Sequence, residues 1–113
     1  MNTPVTKPEP HMTVEEFLAW DGAGHIGKLE LVEGRVRAMS PASGTHALVQ
    51  ANLAFILGSL FRARNSSCRV GTEAPIVPRI HANDNVRAPD LAVTCAPITA
   101  DKRFPDPILI VEV

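Results

Sequence analysis

The chain of 113 residues has no tyrosine, one tryptophan and four phenylalanines, so aromatic residues make up only 4% of it. A surface that holds nucleic acid by stacking successive bases needs several exposed rings, and this composition excludes one. Phe55 and Phe61, on the longest apolar segment, are expected in the core. An excess of charge of one sign is also missing: 11 Lys and Arg stand against 12 Asp and Glu, for a net charge of -1. That excludes a strongly basic binder that holds nucleic acid by bulk electrostatics, so any such contact must be local. Only two cysteines occur, Cys68 and Cys95. They lack the CxxC or Cys/His spacing of a zinc site and, with no signal peptide, read as free thiols of a cytoplasmic protein. The N-terminal "MNTPVTKPEPH" has three prolines and no apolar signal region, and no apolar run approaches the roughly 18 residues of a membrane span.

What is present is an ordinary globular composition, 45% hydrophobic and 20% charged, with room for one core. Residues 1–11 read as a disordered leader. "MTVEEF" then starts a short helix, with Thr13 as N-cap, Glu16 as its capping-box partner, and Met12 and Phe17 as a hydrophobic staple. "KLELVEGRVRAM" alternates around Glu33-Gly34 as a β-hairpin. A long helix follows, capped by Ser43 or Thr45, with apolar residues at 49, 53, 56, 57 and 60 in the 3.6-residue period of a packed face. From Cys68 onward "CRVGTE", "PIVPRI", "DLAVTC" and "ILIVEV" read as strands. The order predicts an α/β or α+β domain with helices against one mixed sheet. Because the sequence stops on an apolar strand that looks central, residues 12–113 are expected to be the N-terminal portion of a domain whose C-terminal part lies beyond it.

Two of those strands each carry a carboxylate, Asp90 at the head of "LAVT" and Glu112 within "ILIVEV". If the strands are neighbours the two acids converge at one end of the sheet, where desolvating them alone costs several kcal/mol. Three partners answer that cost: a lysine or arginine in a structural ion pair, a proton shared between the acids, or a hard divalent cation such as Mg²⁺. Spacing leaves all three open. If the acids stand alone, mutual repulsion is expected to raise their folded-state pKa values.

At these residues the chain resembles a known family. "MTVEEFLAW", "LELVEGRVRAMSPASGTHALVQANL", "APDLAVT" and "DPILIVEV", in that order, are similar to the Uma-two family of the PD-(D/E)XK restriction-endonuclease-like superfamily. The resemblance implies a restriction-endonuclease-like fold and a Mg²⁺-dependent endonuclease, with Mn²⁺ as a substitute, acting on DNA. Asp90 matches the Asp of the PD motif and Glu112 the second acidic position, and the carbonyl of Val113 would join them on the metal. Glu30 in "LELVEG" matches an acidic position that supports the metal or orients a water, and His46 matches the histidine of the helix-entry segment. The superfamily's lysine would fall at 114 or on a following helix, and Lys102, in a loop, is a poor substitute. The alternative is an interaction module that keeps the fold without catalysis. An apolar terminal strand also predicts a homodimer or larger assembly. The arginines at 35, 37, 62, 64, 69, 79 and 87 either line a phosphate groove or form a solvated surface.

Overall fold

The computed structural model describes residues 11–25 and 27–113; the expected leader lies, except for its last residue, outside them. Helix α1, Val14–Ala19, begins as its capping chemistry requires: Glu16 N–H donates to Thr13 Oγ1 at 3.2 Å and Thr13 N–H donates to Glu16 Oε1 at 2.9 Å. Strands β1, Leu29–Val32, and β2, Arg35–Ala38, form the hairpin. Its turn places Glu33 at φ 49° and Gly34 at φ 83°, the left-handed pair that tight hairpins use, and a Cβ on Gly34 would also run into the His11 ring.

Helix α2, Gly44–Ala63, is capped by Ser43, whose hydroxyl accepts from His46 N–H at 3.1 Å. The remaining strands β3, Arg69–Thr72, β4, Leu91–Thr94, and β5, Pro107–Val111, make a second antiparallel sheet in the order β3-β4-β5. The domain is therefore α+β, with its strands in two antiparallel sheets rather than the one mixed sheet expected. Strand β1 is tied to the segment that leads into β4, where Leu31 and Val86 exchange two backbone hydrogen bonds, each 2.9 Å. Val14, Leu31 and Val86 pack there as a core, with Met12, Phe17, Leu18, Val36 and Val77 around it.

Several expectations are corrected. "PIVPRI" is no strand: only Ile76 bridges, to Arg87, before Pro78 and the turns after it take the chain away. β5 is an edge strand among the described residues and exposes Ile108, Leu109 and Ile110. Helix α2 buries Gln50 and half-buries Leu53 and Leu57 of its periodic face, but leaves Val49, Ile56 and Leu60 of that face exposed, and Phe55, expected in the core, is 74% exposed. By length and composition alone α2 is also long and apolar enough to cross a membrane. Its polar Gln50 nevertheless ties it to the second sheet, donating to the Asp90 carbonyl at 2.8 Å.

Cys68 and Cys95 are not free thiols but disulfide-bonded. Pairing of Arg69 with Thr94 puts the next residues outward, Cys68 and Cys95, directly opposite each other across β3 and β4. Closing a loop over a separation of 27 residues raises the free energy of the unfolded chain by about 3.5 kcal/mol. Cys68→Ser should therefore lower the urea midpoint, and reductant should do the same to the wild type while leaving the variant unmoved. An equal reductant response in both would show that the bond does not constrain folding.

Candidate active site

Strand register builds the site. Leu91 pairs with Val111 across β4 and β5, so the preceding residue Asp90 stands opposite Glu112; Leu91 also pairs with Thr72 across β3, which brings Glu73 to the other side of Asp90. Three carboxylates thus lie along one end of the sheet and line one cavity of about 650 Å³. Lys28, just before β1, and His46, in the first turn of α2, line it as well.

Asp90 is the centre of this arrangement, with its side chain 9% exposed. Its Oδ2 accepts from Val113 N–H at 2.7 Å and lies 3.3 Å from His46 Nε2, while Lys28 Nζ stands 3.6 Å from Oδ1. Asp90 N–H donates to Glu112 Oε1 at 3.2 Å. Burial pushes the Asp90 carboxyl up, but the Val113 N–H, the Lys28 charge and His46 together outweigh it and hold the group below the usual carboxylate range. The expected upward shift from repulsion is overturned at Asp90: positive charge and a backbone donor reach it first.

Of the residues singled out in the sequence, Asp90, Glu112, Val113 and His46 come together. Glu30 does not: it is buried on β1, and its carboxylate accepts from Ala88 N–H at 2.8 Å, bracing the segment that leads into Asp90. Lys28 and Glu73 are the residues sequence reasoning missed. Both stand in quoted motifs, "KLELVEG" and "CRVGTE", at the margins of strands whose pairing was unknown. The arginines are dispersed, with Arg35 and Arg37, Arg62 and Arg69, and Arg79 and Arg87 in three separate depressions.

A family model described as a putative restriction endonuclease, Uma2, matches residues 14–113. The chain belongs to the Uma2 family. No curated protein and no solved structure matched it. Among the described residues no group of three or more His, Cys, Asp or Glu side chains stands close enough together to hold a metal ion. The chemistry of the lining, though not its present spacing, suits a hydrated Mg²⁺: Glu73, Asp90 and Glu112 offer hard carboxylate oxygens, beside Lys28 and His46.

Because the folded-state pKa of Asp90 is depressed, its contribution to stability is present above the unfolded value of about 3.9 and is lost as pH falls through the folded value. Metal-free Asp90→Asn should be less stable than wild type at pH 7, by about 1.5–3 kcal/mol for the lost charged hydrogen bonds. The gap should close under acid, as followed by urea unfolding from pH 7 to the limit of folding. A constant gap would mean that the Asp90 charge does not carry it.

Proposed function

We propose that this chain carries the metal site of a Mg²⁺-dependent endonuclease that hydrolyses DNA phosphodiester bonds, Mn²⁺ serving as well. The observation that carries the reading is the Glu73–Asp90–Glu112 row, which is two negative charges in excess after Lys28 is counted. Family membership agrees with it. Asp90 and Glu112 would hold the cation, with the Val113 carbonyl beside them. When bound, the cation would neutralise charge on the phosphate and lower the pKa of a coordinated water.

The chain's own groups divide the remaining tasks. His46 Nε2 and Val113 N–H fix the rotamer of Asp90. Lys28 Nζ stands where it can donate to a phosphate oxygen or orient the attacking water, the role the superfamily assigns to a lysine further along the chain. Glu73, held by Gln50 Nε2 at 3.4 Å, offers an oxygen to accept that water's proton. Glu30 acts through the backbone at Ala88 and touches no substrate. The site of action proposed is the cytoplasm.

Millimolar Mg²⁺ or Mn²⁺ should raise the Tm of the wild type by several degrees, and the protein should nick supercoiled plasmid only when the metal is present. Asp90→Asn and Glu112→Gln should lose both responses. Lys28→Met should keep the thermal response and lose about a hundredfold in cleavage. The specific observation favouring the non-catalytic module is the Lys28–Asp90 pair itself, which could neutralise Asp90 with no metal at all. That reading replaces the nuclease if the wild type ignores both metals and leaves plasmid intact.

We also propose a homodimer formed at β5, whose outer edge carries Ile108 at 67% exposure. Light scattering should give twice the chain mass, and Ile108→Lys should return the monomer. A monomeric wild type at high concentration would end the proposal.

A further inference from the structure

A second cavity, of about 770 Å³, lies on the other side of Glu112, which lines both. Its volume is in the range of small-molecule sites. Arg79 and Arg87 line it, and neither forms an ion pair among the described residues. The third arginine, Arg103, is committed to Glu15 and Asp101. The cavity also holds the one aromatic ring in its lining, Phe104, and four prolines that give its wall little freedom. Phe104 is positioned rather than loose: its backbone N–H donates to the Pro75 carbonyl at 2.7 Å, and its ring lies against β3 at Gly71, where an added Cβ would come within 2.7 Å of the ring.

A preformed aromatic surface, two guanidinium groups free of ion pairs, that of Arg87 steadied by donating to Asn85 Oδ1 at 3.3 Å, and an opening at a carboxylate of the proposed phosphate-cleaving site are the parts that hold one extended nucleotide. Guanidinium groups take phosphate oxygens in pairs of parallel hydrogen bonds, and a ring takes the face of a base. A paired base cannot present that face, because its neighbours in the duplex cover it. We propose that this cavity is a subsite for one unpaired nucleotide next to the scissile phosphate, with its base on Phe104 and its phosphates on Arg79 and Arg87. The carboxylates of the cavity come from Asp101, Asp106 and Glu112, so the phosphates are held on the side of the 79–87 segment. The inference rests on the nuclease reading for what the strand is doing there, and it narrows the substrate to one with a single-stranded, frayed or flapped segment.

The test is fluorescence anisotropy with a labelled oligothymidylate about ten nucleotides long, against a blunt duplex of the same length, in EDTA. The single strand is expected to bind at least tenfold more tightly than the duplex. Phe104→Leu, which keeps the packing on Gly71, should weaken strand binding roughly tenfold. Arg79→Ala, in an exposed loop, should weaken it several-fold and lower the slope of log Kd against log salt by about one. Equal or tighter binding of the duplex, or variants indistinguishable from wild type, would overturn the subsite. The two readings fail separately: metal-dependent nicking without oligonucleotide binding removes the subsite alone, and strand binding in EDTA with no metal response removes the nuclease alone.

Discussion

A carboxylate at Asp90 that is nine-tenths removed from water must be given donors and positive charge, and meeting that demand arranges much of the molecule. The donors come from places far apart in sequence: the Val113 backbone after β5, His46 in the first turn of α2, and Lys28 ahead of the hairpin. Gln50 binds the carbonyl of the same residue. Helix α2 also packs on β3, and these two polar side chains add to the hold on a helix much of whose apolar surface is open.

The parts legible in the sequence were those set by local chemistry. The capping box at Thr13 and Glu16 and the Glu33-Gly34 turn each depend on residues within a few positions, and both formed where expected. Asp90 and Glu112 were legible because each sits one residue beyond a paired position of its strand, so adjacency of the strands suffices to bring them together. Lys28 and Glu73 were not, since nothing in the sequence says which strand margin meets which. Alternation along β1 could not reveal that Glu30 faces the protein and finds the Ala88 amide. Periodicity in α2 told which side chains share a face, but not whether anything covers it. Cys68 and Cys95 paired for a reason equally invisible in their spacing, a register between two strands.

The charge arrangement is a compromise between stability and readiness. Like charges directly across a sheet repel, and a domain selected for stability alone would place apolar or oppositely charged residues along the Glu73–Asp90–Glu112 row. Lys28 quiets the middle carboxylate without filling the cavity. Glu73 and Glu112 remain exposed enough for water to screen them, which keeps the row tolerable without removing its charge.

Lys28, Glu30 and Leu31 occupy nearly consecutive positions, and each has a separate duty: facing Asp90, gripping the Ala88 amide, and bridging to Val86. A strand advances about 3.3 Å per residue and turns its side chains over at each step. Losing one residue from this stretch would therefore misplace all three together, drawing the ammonium away, turning the glutamate toward solvent and unfastening β1 from the segment that leads into β4. Among descendants of this sequence, the stretch from Lys28 to Leu31 should change its letters far more readily than its length.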